Sequence, residues 1–173
     1  MKTRDIAVVA LAAGLSTALS FLRLYEMPQG GSVTLDPLPI FYVALWLGAT
    51  RGIAAGVLAG LLQLIIHPIV VHPIQMLLDY PLAMAAPAIA GFFRRPGATG
   101  GIRTLPAVAG VLAGSAAKFC CHLVSGVVFF GMYAPAGQNV WLYSAIYNGS
   151  YVVPQAILSM LLLPPILRRA TAG

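Results

Sequence analysis

The sequence predicts an all-α membrane protein, a bundle of six transmembrane helices with both termini cytoplasmic. Three observations predict it. Of 173 residues, 60% are hydrophobic and only 8% charged, a balance that fits one integral membrane domain spanning 1–173 with no soluble domain beside it. The apolar residues fall into runs that approach or exceed the ~20 helical residues needed to cross a bilayer. The cations sort by side: Lys2, Arg4, Arg51, Arg94, Arg95, Arg103, Arg168 and Arg169 lie at the termini and at alternate chain reversals, whereas one intervening reversal carries Glu26 and Asp36. Cytoplasmic segments accumulate Lys and Arg, so this alternation orients the chain.

Residues 5–24 form the first span, running outward from Lys2 and Arg4. This run is long enough to span and more membrane segments follow it, so it reads as a helix and not as a signal peptide. A polar loop with Gly and Pro, 25–36, comes next. The second span, 37–49, is short and returns to Arg51; the third, 52–66, rises and stops at His67-Pro68. A residue before proline is driven out of the helical region, which explains that stop. A short outer loop ends at His72-Pro73, and the fourth span, 74–93, descends to Arg94-Arg95. A Gly-rich inner loop, 96–103, precedes the fifth span, 104–131, and the chain turns outside at 133–138. The sixth span, 139–167, ends inside at Arg168-Arg169. The second and third spans are shorter than a full crossing, and are expected to tilt or to break around a cavity, where membrane backbone is allowed to be irregular. Two small-xxx-small faces, Ala10-Gly14-Ala18 and Gly52-Gly56-Gly60, suit close helix packing and are both expected to pack within the chain.

Several function classes are disfavoured. The net charge of +6 sits mostly in the cytoplasmic segments and is not interleaved with aromatics, so it does not describe a nucleic-acid groove. Cys120 and Cys121 are adjacent in an apolar run, neither a disulfide framework nor a metal clip. His67 and His72 flank an outer loop without a nearby carboxylate, so no metal is expected. There is no Walker A sequence, which assigns any ATP use to a partner. His122 and Ser125 lie three apart on one helix and do not make a nucleophile–base pair, and no nucleophile-elbow motif surrounds them. No enzyme activity and no cofactor are expected.

The polar residues inside the apolar spans carry the functional signal, because such groups are costly in a membrane. At ~1.5 Å of rise per residue, His122 and Asn148 lie at similar depth below the outer ends of their spans, and Asp79 lies nearer the surface. Three hydrogen-bonding groups from three helices converge on the outer half of the membrane. A carboxylate accepts hydrogen bonds and neutralises a cation; His and the Asn amide both donate and accept. Phe129, Phe130, Tyr133, Trp141, Tyr143, Tyr147 and Tyr151 crowd the same level and suit a flat or cationic ring. The set fits a small, aromatic, nitrogen-rich ligand. Lys118, four residues before His122, shares its face. An alternative pairs it with Asp79 as a purely structural ion pair.

Leu78-Asp79-Tyr80-Pro81, the block 122–135 (HLVSGVVFFGMYAP) and 143–149 (YSAIYNG) resemble the thiamin-specific substrate-binding subunits, or S-components, of energy-coupling factor transporters. The resemblance covers nearly the whole chain. It implies a six-helix S-component bundle whose outward pocket is capped by the first outer loop. It further implies that Asp79 takes the place of a Glu that bonds the aminopyrimidine, followed by Tyr80. His122 and Asn148 match pocket residues, Gly126 a Gly against which the ligand packs, Tyr143 a pocket Tyr, and Phe130 a Trp that stacks on the ligand. Ala10, Gly14 and Ala18 match the face that docks on the transmembrane coupling subunit, which works with two ATPase subunits. Gln63 stands where the family has a Trp, and Ile69, Val70 and Val71 offer no counterpart to a family Tyr. The expected function is capture and uptake of thiamin, or of a close relative such as its hydroxymethylpyrimidine or another vitamin, in a prokaryotic cell membrane. An autonomous proton-coupled carrier or channel using Asp79 and Lys118 is the alternative.

Overall fold

Helix α1 (Thr3–Ser20) ends at Phe21, so Arg23 lies beyond the helix, paired with Glu26, and not inside the first span as expected. The computed structural model describes residues 2–95 and 102–170; most of the inner loop expected at 96–103 lies outside them. The outer loop after α1 is an ordered ribbon: β1 (Tyr25–Glu26) pairs antiparallel with β2 (Ser32–Val33), a small strand element within an otherwise helical chain.

Helix α2 (Pro37–Leu47) reads PLPIFYVALWL and is apolar on every face, the pattern of a helix buried all round. Ile40, Phe41, Ala44 and Leu45 are at most 1% exposed. Its eleven residues rise about 16 Å, roughly half the hydrocarbon thickness. It forms a central plug touching α1, α3 (Ala49–Ile66) and α7 (Val140–Ala170). The reversal into α3 takes one residue, Gly48, at φ +99°, a left-handed conformation that glycine adopts without a Cβ clash. Helix α3 therefore starts at Ala49, earlier than the expected 52, and Arg51 sits in its first turn and not in a loop. There Arg51 Nη2 donates to Asp5 Oδ2 at 3.1 Å, tying α3 to the start of α1.

The fourth rod, Pro73–Phe93, changes pitch along its length: α4 (Pro73–Leu77), a π turn (Leu78–Leu82), α5 (Ala83–Ala85) and a 3-10 segment (Ala86–Phe93). Pro81 and Pro87 lack a backbone N–H and clash with the preceding turn. The rod widens around the first and tightens around the second. Helix α6 (Thr104–Phe129) packs on this rod and on α7. Among the described residues, five helical segments are long and apolar enough to cross a membrane; α2 is a shorter apolar helix.

Two apolar clusters flank α2. Val9, Ala13, Ile40, Val43, Ala55, Ala59 and Met84 lie on one side; Phe41, Leu45, Ala90, Ala107, Val111 and Leu163 lie on the other. The two small-residue stripes behave differently. A Cβ on Gly56 would stand 2.2 Å from the Met84 carbonyl oxygen, and one on Gly60 2.5 Å from that of Tyr80, so α3 meets the fourth rod backbone to backbone. Ala10, Gly14 and Ala18 are exposed, and a Cβ on Gly14 would meet nothing within 4 Å. The expectation that the first stripe packs inside the chain is corrected: α1 uses its other face, with Val9, Ala13, Ser16 and Thr17 buried.

Candidate ligand-binding site

The π turn presents Asp79 toward α6. Its Oδ2 accepts from Ser125 Oγ at 2.7 Å and from Gln75 Nε2 at 2.8 Å. Its Oδ1 lies 3.1 Å from His122 Nδ1. A carboxylate offers about four lone-pair sites, so Oδ2 is filled while Oδ1 retains one. A neutral His122 that donates from Nδ1 carries its lone pair on Nε2, giving a second acceptor beside the first. The convergence of Asp79 and His122 expected from the sequence is a direct contact. The Asp79–Lys118 pair is not formed: Lys118 Nζ bonds Gln155 Oε1 at 3.2 Å.

These groups line a cavity of about 550 Å³ that also takes in Gly126, Phe130, Tyr143 and Asn148, large enough for a small two-ring ligand. Asn148 is more committed to the protein than its sequence position suggests. Its Nδ2 donates to His122 O at 3.2 Å and Ser144 O at 2.9 Å, and its Oδ1 accepts from Tyr151 Oη at 2.6 Å. It clamps α7 to α6 behind His122. Gly126 has a structural role in the same seam: a Cβ there would stand 2.2 Å from Ser144 Oγ. The Tyr80 ring lines the cavity, while its hydroxyl holds the outer loop. It donates to His67 O at 2.9 Å and accepts from Ile69 N at 2.7 Å. Phe130 and Tyr143 present half-buried rings, the first stacked on Tyr133 with centroids 6.4 Å apart.

The outer ribbon lies over this cavity. Tyr147 Oη accepts from Gln29 N at 3.1 Å and Gly31 N at 3.3 Å, so α7 holds the turn of the ribbon directly. His72 is spent as the cap of α4, its Nδ1 accepting from Ile74 N at 3.1 Å. Among the described residues no group of three His, Cys, Asp or Glu could hold a metal ion.

Comparison with known proteins fixes the family. The family model described as Thiamine transporter protein (Thia_YuaJ) matches residues 6–172. The chain belongs to this family. Thiamine transporter ThiT of Bacillus subtilis (strain 168) is 40% identical over 166 residues, covering 92% of this chain and 86% of that protein. Thiamine transporter ThiT of Lacticaseibacillus paracasei is 31% identical over 168 residues, covering 91% and 84%. The solved structure of ThiT from Listeria monocytogenes superposes with a TM-score of 0.82 at 24% identity, over 95% of this chain and 93% of that one, so the two share a fold.

Within this family member, sequence reasoning missed Gln75, Ser125, Gln155 and Asp36 as cavity residues. Ser125 forms no catalytic pair with His122; both instead bond the Asp79 carboxylate. Asp36 lies in the outer-loop stretch of the sequence, yet it is only 5% exposed. Its one legible signal is the sequence Asp36-Pro37-Leu38-Pro39, an Asp at a helix start with few N–H groups to cap.

Proposed function

We propose that this chain captures thiamin outside the cell and delivers it inward as the S-component of an energy-coupling factor transporter. Membership in a family of transport proteins, not enzymes, supports the reading, as does a chain of several apolar helices suited to a multi-pass protein of the bacterial plasma membrane. Thiamin joins an aminopyrimidine to a cationic thiazolium that carries a hydroxyethyl arm. One observation carries the assignment: Asp79, half-buried in the cavity wall, has three protein donors and one acceptor site left over. An aromatic amino group supplies the missing donor, and the adjacent His122 accepts a second. Phe130 and Tyr143 pack on the rings, Tyr80 and Asn148 hold the walls, and Gly126 lets α6 and α7 close behind the ligand.

The chain forms one membrane domain, 1–173, of six helices with both termini cytoplasmic, the short α2 counting as one of the six. Ala10, Gly14 and Ala18 on the open face of α1 dock on the transmembrane coupling subunit, whose two ATPase subunits hydrolyse ATP. The work of this chain is binding and conformational change, with no bond made or broken in thiamin.

Titration calorimetry on the purified protein tests the reading. Trp46 and Trp141 do not line the cavity, so heat is a more direct signal than fluorescence. Thiamin binds tightly and riboflavin does not. Asp79→Asn and His122→Ala each weaken thiamin by about 10- to 100-fold, the range for a lost hydrogen bond to a charged group. No binding of thiamin to the unaltered protein overturns the proposal, and tighter binding of the hydroxymethylpyrimidine half alone redirects it to a precursor.

A further inference from the structure

The cavity holds a second carboxylate, this one buried, that the Asp79 site does not use. Asp36 occupies the N-cap position of α2, where an Asp ordinarily accepts from the N–H groups of the first turn. Here it makes no such bond. Pro37 and Pro39 have no N–H to offer, and Leu38 N already donates to Leu35 O at 3.1 Å. The side chain turns into the cavity instead. Its Oδ1 accepts from Thr34 Oγ1 and from Gln155 Nε2 at 3.4 Å, and its Oδ2 from Gln63 Nε2 at 3.2 Å.

Asp36 and Asp79 line the same cavity but share no hydrogen-bond partner. Among the described residues no cation touches Asp36. Lys118 reaches it through a shared partner: Gln155 stands between them, receiving Lys118 Nζ on Oε1 and donating to the carboxylate from Nε2. A buried carboxylate without a cation in contact is costly, and a cationic ligand offsets that cost. Asp36 Oδ2 retains an acceptor site. Gln63 also lines the cavity, and its Oε1 has no hydrogen-bond partner among the described residues. This end therefore offers two acceptors and a negative charge, a demand met by a hydroxyl donor next to a delocalised cation.

We propose that Asp36, presented by Gln63 and Gln155, is a second recognition point that takes the hydroxyl-bearing, cationic end of the ligand. The proposal rests on the thiamin reading above and adds the residues that read the thiazolium half. Gln63 is the specificity-determining residue of this end. It offers a hydrogen-bonding amide at this end, and a site built to hydrogen-bond a hydroxyl discriminates against the analogue lacking it.

The test is a binding cycle by calorimetry. The ligands are thiamin, its analogue with ethyl in place of hydroxyethyl, and the hydroxymethylpyrimidine half. The proteins are the unaltered chain, Gln63→Leu and Asp36→Asn. On the unaltered chain, loss of the hydroxyl weakens binding about 10-fold. On Gln63→Leu that ratio falls to about 2-fold, while the hydroxymethylpyrimidine half, read at the Asp79 end, binds as it does to the unaltered chain, which shows the variant folded. Asp36→Asn weakens both cationic ligands and leaves the pyrimidine half unchanged. Three results overturn the proposal. The unaltered chain does not distinguish the hydroxyl; or the ratio is the same on Gln63→Leu; or Asp36→Asn weakens the pyrimidine half as much as thiamin, which makes Asp36 structural. Failure of the unaltered chain to bind thiamin would instead sink the capture reading itself.

Discussion

Helices α1 and α3 carry the same kind of stripe, three small residues spaced four apart, and the fold puts them to opposite uses. The α3 stripe is closed. Gly52, Gly56 and Gly60 are covered by Ala44, Met84 and Tyr80, and two of them face backbone oxygen directly. The α1 stripe is open, with Gly14 facing empty space. A small-residue face permits backbone approach without naming the backbone that approaches. On α3 the partner is the fourth rod of this chain, and the contact at Gly60 buttresses the π turn that presents Asp79. On α1 the partner, under the proposed function, is another subunit.

Substitutions can break this contrast. The largest effect is expected from Gly56→Val. The side chain meets a carbonyl oxygen that cannot move without displacing the rod, and the cost is about 3 kcal/mol or more, read as loss of folded protein in a detergent melting curve. Gly14→Leu should leave thiamin affinity unchanged and not lower the melting midpoint, yet lower transport in vesicles containing the coupling module about 10-fold. A fall in thiamin affinity would show that the α1 stripe serves the pocket and not a partner. Gly60→Ala sharpens the link between packing and site. A Cβ 2.5 Å from the Tyr80 oxygen must push the π turn, with roughly 1–3 kcal/mol lost in stability and thiamin affinity reduced alongside it. Unchanged affinity would mean that Asp79 is positioned by its hydrogen bonds alone. The smallest effect belongs to Gly14→Ala, a gain of about 0.5–1 kcal/mol from helix propensity, measured as a higher melting midpoint. A loss there would mean that the open face is already packed.

Much of the site was legible because the cost of polar groups in an apolar span is a local property. Asp79, His122 and Asn148 stand out in any reading of their helices, and their convergence on the outer half of the membrane follows from their depths, whereas the direct Asp79–His122 contact does not. The partners of Asp79 were less legible. Ser125 and Gln75 are ordinary residues in a helix until the neighbouring helix is in place. Lys118 illustrates the limit: four residues from His122, it suggested a pairing with Asp79. The rotation of α6 against α7 instead points it at Gln155, a choice that one helix cannot reveal.

The sequence by itself determined the membrane character, the apolar segments and the residues whose burial demands a reason, because each depends on composition and spacing along one chain. It also marked the proline-bearing turns, since a missing N–H is a covalent fact. Only the tertiary structure decided that α2 is a buried plug, that α1 leaves its small-residue face open while α3 closes its own, and that Asp36 turns inward to a cavity instead of outward to water. Those outcomes depend on which surfaces meet, and a hydrogen bond or a backbone contact between distant segments has no signature in either segment alone.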